Sequence, residues 1–194
     1  MNSLAAEILD NFPFLEGDDV DLLLSVSIVK EIPAGTILVE EGEINANVHL
    51  VLKGLLRSYV ITSAGEDRTL LISKEKMRTA SFNSFLNNAP SEITIESIEP
   101  SKILVIESEK FQKLAESNKN LVLLAKEGMH LFLADAMERL HFFTVLSPEE
   151  RFISFREKHP DLIQRVPQKY LASFLGVTTV SLSRIKARIA KSRR

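Results

Sequence analysis

The stretch from Gln168 to Ala187, QKYLASFLGVTTVSLSRIKA, gathers the residue types suited to contact with a polyanion. Gly176 tolerates a left-handed backbone that a side chain would resist. Ala172 lies four residues before it, and Leu182 and Ile185 lie six and nine after it. That is the spacing of two helices joined by a tight turn. The small residue lets the helices cross closely, the apolar pair pins the second to the first, and Leu171, Leu175 and Val177 add contacts. Thr178 stands where it can cap the second helix, whose N-terminus can then face a phosphate or a base edge. The outward face offers Thr179, Ser181 and Arg184, with Lys186 and Arg188 trailing. An arginine can read guanine through two parallel hydrogen bonds, hydroxyls can meet bases or phosphate, and an apolar side chain can touch a thymine methyl. Gln168, Lys169, Val180 and Ser183 complete the residues predicted to meet duplex DNA.

Charge points the same way. Residues 1–150 carry about 13 Lys and Arg against about 24 Asp and Glu, whereas residues 151–194 carry about 11 against only Glu157 and Asp161. The formal net charge of -2 therefore hides an acidic part and a basic part. Such asymmetry suggests two modules with different partners. A basic solvated tail is the plainer reading of the charge alone. The helix-turn-helix spacing inside the basic part favours a surface that binds a polyanion.

Other chemistries find no residues to carry them. The chain has no Cys, hence no disulfide, no Cys-ligated zinc and no iron–sulfur cluster, which fits a cytoplasmic setting. His49 is alone among residues 28–106, and His130 and His141 sit three helical turns apart, too far for one metal ion. There is no Gly-rich phosphate loop and no Gly-x-Ser-x-Gly elbow, so neither catalysis nor a cofactor is expected. The acidic N-terminus has no basic region ahead of an apolar run, as a secretory signal requires. No apolar run approaches the ~18 residues of a membrane span, so no membrane partner is expected.

The remaining chain must position that basic end. Residues 3–10 and 18–25 read as short helices, the second capped by Asp18. From 28 to 106, short β-branched runs separated by turn residues predict a jelly-roll-like β-roll, interrupted by a short helix in ASFNSFLNNAP. A long helix follows over 118–144. Met129, Leu133, Ala136, Leu140 and Phe143 step by 4, 3, 4, 3 along it, a seam for a second copy. Leu121, Leu124, Gly128 and Leu131 lie on a neighbouring face. Ser147, Pro148 and Glu150 then start a further helix through a capping box, and Pro160 stops it. The expected fold is α+β, with a sensor β-roll over 1–117, a dimerisation helix and hinge over 118–146, and a helix-turn-helix domain without an evident full wing over 147–194.

In this order the parts resemble a bacterial Crp/Fnr-type transcription regulator. GTILVEEGE and VHLVLKGLLRSYV are similar to that family's cyclic-nucleotide-binding β-roll, the long helix to its dimer helix, and LASFLGVTTVSLSRI to its helix-turn-helix, with Arg184 on the position of the DNA-contacting arginine. The resemblance implies a homodimer on an inverted DNA repeat, with RNA polymerase and a small-molecule effector as further partners. The departures bear on that effector. Ala80–Ser81 stands where cyclic-AMP-binding members carry Gly-Glu, and Ser91–Glu92 where they carry Arg-Ser/Thr. No Arg lies between Arg78 and Arg139 to neutralise a phosphodiester, and a carboxylate there would repel it. The expected pocket of Ala80, Ser81, Phe82, Asn83, Ser91, Glu92 and Ile93 is thus degenerate, and cyclic AMP is not expected to bind. Val180 replaces a recognition-helix Glu of many relatives, so their consensus half-site does not carry over. Arg193 and Arg194 are candidates for a backbone contact. A sensory module that binds a small molecule, a protein or RNA without reading duplex DNA is the alternative. Against RNA, Phe152, Phe155, Tyr170 and Phe174 fall at helical spacing, as core residues do.

Overall fold

The computed structural model describes residues 3–192, so Arg193 and Arg194 lie outside the described residues. Two short helices open it, α1 (Ser3–Asn11) and α2 (Gly17–Ser25). Eight strands follow: β1 (Ser27–Ile32), β2 (Ile37–Val39), β3 (Val48–Lys53), β4 (Leu56–Ile61), β5 (Asp67–Ser73), β6 (Arg78–Thr79), β7 (Thr94–Ser97) and β8 (Ser101–Ile106), with α3 (Phe82–Asn87) between β6 and β7. The helices α4 (Ser108–Ala115), α5 (Lys119–Val145), α6 (Pro148–Lys158), α7 (Leu162–Arg165), α8 (Gln168–Phe174) and α9 (Thr179–Ser192) complete the chain. The architecture is α+β, as the strand and helix patterns predict. The first helix cap differs from expectation. α2 begins at Gly17, so Asp18 falls inside its first turn, and Glu16 is the capping residue.

The strands make two four-stranded sheets, in the orders β1-β8-β3-β6 and β2-β7-β4-β5. Strands distant in sequence sit side by side, as in a jelly roll. β8 runs antiparallel between β1 and β3, pairing Leu104 with both Val29 and Leu50. Alternation along β3 and β8 divides the core. Leu50, Leu52, Leu104 and Ile106 pack with Ile8, Leu23, Phe111, Leu121 and Leu124 of the helices and with Phe12, just after α1. Val51, Ile103 and Val105 pack with Val39, Leu56 and Ile95 between the sheets. Period-2 burial on both faces is what a covered sheet requires.

Contacts divide the chain into two compact units. The first comprises the residues up to Ser58 together with Ser73–Phe132. Within it Asp19 is buried and ties the start of α5 in place, accepting hydrogen bonds from Asn118 at 2.6 Å and Asn120 at 2.7 Å. The second comprises Tyr59–Ile72 and the residues from Leu133 onward. It includes most of the β4–β5 hairpin. β5 is an edge strand, and a single hydroxyl serves its backbone: Thr69 N–H donates to Ser173 Oγ at 2.8 Å, and Ser173 Oγ donates to Asp67 O at 2.9 Å. Its buried apolar residues include Ile72, Phe142, Phe152, Phe155, Leu162, Val166, Leu171, Ala172, Leu175, Leu182, Ile185 and Ile189.

Two buried groups in the first unit make stability depend on pH. Burial drives the His49 imidazole down to about 4, against the opposing pull of its bond with the Thr79 backbone. An unfolded chain takes up that proton near pH 6.5, so stability falls as pH drops from there toward 4. The Asp19 carboxyl lies below its ordinary value because it accepts from the Glu16 backbone and from Asn118. Its contribution is therefore present above the ordinary carboxylate range and is lost as pH falls below it. In urea unfolding, His49→Gln is expected to flatten the stability profile between pH 6.5 and 4, and Asp19→Asn to shrink the further loss on the acid side.

Candidate nucleic-acid interface and sensor pocket

α8 and α9 meet at a turn built as the spacing predicts. Gly176 has a φ of 69°. Val177 N–H donates to Ala172 O and Gly176 N–H to Ser173 O, both at 3.0 Å. That pair of bonds is a Schellman motif, which ends a helix through a left-handed residue. Ala172 is 1% exposed where the helices cross, and Leu182, Ile185 and Ile189 are buried behind α9. Thr178 caps α9: Ser181 N–H donates to its Oγ1 at 3.1 Å. Tight turn, small crossing residue and cap together turn the first residues of α9 outward, and Thr178, Thr179 and Val180 are all exposed.

The predicted DNA contacts divide along α9. Stepping by 4, 3 and 4, Val180, Arg184, Ala187 and Lys191 share its outward face. Val180 is 59% exposed. Ser183 flanks that face, and Gln168 reaches it from the start of α8, donating to Ser183 Oγ at 2.6 Å and to Thr179 O at 3.3 Å. Lys169 is exposed beside Gln168. Ser181, Lys186 and Arg188 have neighbours within the chain. The Ser181 hydroxyl bonds Thr178 Oγ1, the Lys186 ammonium lies 5.9 Å from the Phe152 ring, and Arg188 pairs with Glu149 of α6 at 2.5 Å. Ala187 and Lys191 extend the outward face beyond the residues expected from the sequence. Continuing the same helical stepping past Arg184 finds both.

The residues predicted for the effector pocket gather around α3. Ser81 is buried and caps it, accepting from Ser84 N–H at 3.4 Å, while Ser84 Oγ donates to Ala89 O at 2.8 Å. Asn83 donates to Pro90 O at 2.8 Å, and Ser91 Oγ donates to Ile93 O at 2.6 Å. Ala80 is half-buried, and Phe82 stacks on Phe132 of α5 with ring centroids 3.3 Å apart. Glu92 is exposed to solvent, so its carboxylate is not the group that occupies this loop; the loop's own serines and asparagine are. Two arginines of the same unit already face carboxylates. Arg57, 3% exposed, bonds Glu96 at 2.8 Å. Arg78 lies 3.7 Å from Glu127 and stacks on Phe12, and burial holds its pKa below the ordinary value.

The predicted seam is on the surface of the single chain. Met129, Leu133, Ala136, Leu140 and Phe143 are all exposed, and Met137 joins them. Leu121 and Leu124 are buried in the helical core, while Leu131 is half exposed. Phe143 has a second setting: its ring lies against the Gly176 turn. Among the described residues there is no cluster of ligands able to hold a metal ion, and no helix long and apolar enough to cross a membrane.

Comparison with known proteins places this geometry. Residues 29–118 match the family model of the cyclic nucleotide-binding domain. No curated protein sequence matches the chain. Among solved structures, FixK2 from Bradyrhizobium japonicum superposes with a TM-score of 0.75 at 16% identity, covering 86% of each chain. A protein of Eubacterium rectale, described as a transcriptional regulator of the Crp/Fnr family, gives 0.72 at 19% identity, covering 94% of this chain and 88% of its own. The global regulator CLP of Xanthomonas campestris, described as responsive to c-di-GMP, gives 0.67 at 14% identity over 91% and 93%. The chain thus has the Crp/Fnr fold, and its β-roll is the part that matches the cyclic nucleotide-binding model.

The turn makes a direct prediction. A Cβ on Gly176 would stand 2.8 Å from Phe143 Cε1 and 2.8 Å from Arg151 Nη1, in a backbone region unfavourable to side chains. Gly176→Ala is expected to cost more than about 1 kcal/mol in urea unfolding. Thr178→Ala, which loses only the cap, is expected to cost about 1 kcal/mol.

Proposed function

We propose that the protein is a sequence-specific, duplex-DNA-binding transcription regulator that acts as a homodimer in the cytoplasm and does not respond to cyclic AMP. The observation that carries this reading is the outward face of α9. It presents Val180, Ser183, Arg184, a small Ala187 and Lys191 in turn, on a helix anchored by Leu182, Ile185 and Ile189. A ridge of that profile suits a major groove, where arginine meets guanine, hydroxyls meet base edges, and valine meets a thymine methyl. Lys169 and the capped start of α9 suit the flanking phosphates.

The exposed apolar stripe of α5 supports the dimer. Leu133, Met137 and Leu140 are each more than half exposed, and a two-fold partner along the same stripe would cover them. A two-fold pair would present its α9 helices to successive major grooves, about 34 Å apart, on an inverted repeat.

The loop around α3 supports the third element. A cyclic phosphodiester needs a cation or free amides to replace its water. Ser81 already caps α3, and Arg57 and Arg78 are engaged by Glu96 and Glu127. A different small molecule would regulate the protein only by binding one conformation better than another. A neighbour of this fold is described as responsive to c-di-GMP. RNA polymerase is the partner a regulator of this kind would address.

Arg184→Ala is expected to weaken binding to a selected duplex by about 1–3 kcal/mol and to relax preference at one base position, as read by anisotropy titration. Leu140→Asp is expected to sediment as a monomer and to lose the inverted-repeat preference. Calorimetric titration with cyclic AMP is expected to release no binding heat.

A further inference from the structure

A helix leaves its last four carbonyls without partners of its own, and those of α8 belong to Ala172, Ser173, Phe174 and Leu175. The Schellman turn takes the first two. The other two are met by arginines that lie far away in sequence but in the same compact unit. Arg139 of α5 donates from Nη2 to Phe174 O at 2.6 Å, and Arg151 of α6 donates from Nη1 to Leu175 O at 2.8 Å. All four carbonyls are therefore bonded, two locally and two by charged donors.

Aromatic rings hold the two guanidiniums in place. Arg139 lies 3.7 Å from the centroid of Phe174 and 4.4 Å from that of Phe143, and Arg151 lies 5.0 Å from Phe143. Phe143 thus stands between the two cations. Bringing like charges together is unfavourable: burial, and then the charge of Arg151, lower the Arg139 pKa to about 10. Arg139 remains charged at neutral pH, and both guanidiniums face the negative end of the α8 dipole and donate to its two open carbonyls. A lysine could supply the charge, but neither the planar fork nor the stacking surface.

α9 starts three residues after Gly176, so whatever holds this turn also sets where α9 points. We propose that Arg139 and Arg151 are positioning residues for DNA recognition, which clamp the end of α8 from α5 and α6 and so fix the presentation of α9 without touching DNA. The clamp rests on the reading of α9 as the DNA-reading helix. It adds two residues that stand outside the recognition helix and a second role for Phe143.

The test uses the full-length protein with Arg139→Gln and Arg139→Lys. Hydrogen exchange at the Gly176 and Val177 amides is measured without DNA. Affinities for a selected and for a random duplex are then measured at several salt concentrations. Both variants are expected to unfold cooperatively, and both turn amides to exchange at least about tenfold faster. The selected duplex is expected to bind about tenfold more weakly, with random-duplex affinity and salt slope unchanged and Lys restoring only part of the loss. Unchanged exchange at the turn would overturn the clamp. A salt slope lowered by about one phosphate contact would overturn it by showing that Arg139 touches DNA. An unchanged ratio of selected to random affinity would overturn the role in recognition. If the wild-type protein prefers no duplex, the DNA reading fails and takes the recognition role with it, while the exchange data still judge the clamp itself. Should Arg139→Gln not fold, Arg151→Lys takes its place with the same expected results.

Discussion

The arrangement at the basic end depends on one constraint: the backbone carbonyls that α8 leaves open must be satisfied while the start of α9 stays accessible. A buried carbonyl without a donor costs on the order of 1–3 kcal/mol. The chain meets the constraint asymmetrically. The end of α8 is closed completely, by the Gly176 turn and by Arg139 and Arg151. The beginning of α9 is capped by Thr178 and otherwise faces outward. Closing one helix end and opening the next gives the unit a direction. Cations committed to the protein's own carbonyls lie on one side of the turn, and cations exposed to solvent, Arg184 and Lys191, lie on the other.

The first unit treats its polar groups in the opposite way. Around α3, hydroxyls and amides are spent on one another: Ser81 on Ser84, Ser84 on Ala89, Asn83 on Pro90, Ser91 on Ile93. Arg57 and Arg78 face carboxylates rather than an empty site. The β-roll matches the cyclic nucleotide-binding model, and fold alone does not decide function.

What could be read from the sequence was mostly local. Gly176, Thr178, Ala172 and the pair Leu182 and Ile185 act within one helical hairpin, so their types and spacing reveal them. The capping box at Ser147 and Glu150 is local too, and it stands as read. The two arginines were invisible because their partners lie 35 and 24 residues away, and a carbonyl acceptor leaves no mark on the side-chain pattern. Ser173 was hidden for the same reason: its partners are backbone groups of β5, 104 and 106 residues distant. The sequence places Lys186 and Arg188 behind Arg184, trailing the outward face. In the structure Arg188 meets Glu149 and Lys186 lies toward Phe152. The exposure of Glu92 was likewise beyond sequence, because alignment to a motif gives a position and not a direction.

The central claim is that α9 reads duplex DNA without help from a ligand. The most direct measurement is a selection from random duplexes with the purified, ligand-free protein, followed by anisotropy titration of the enriched sequence at several salt concentrations. The account predicts an inverted repeat with half-sites one helical turn apart, bound at least about a thousandfold more tightly than random duplex, with affinity falling as salt rises. Equal affinity for enriched and random sequences, or no enrichment at all, would contradict it.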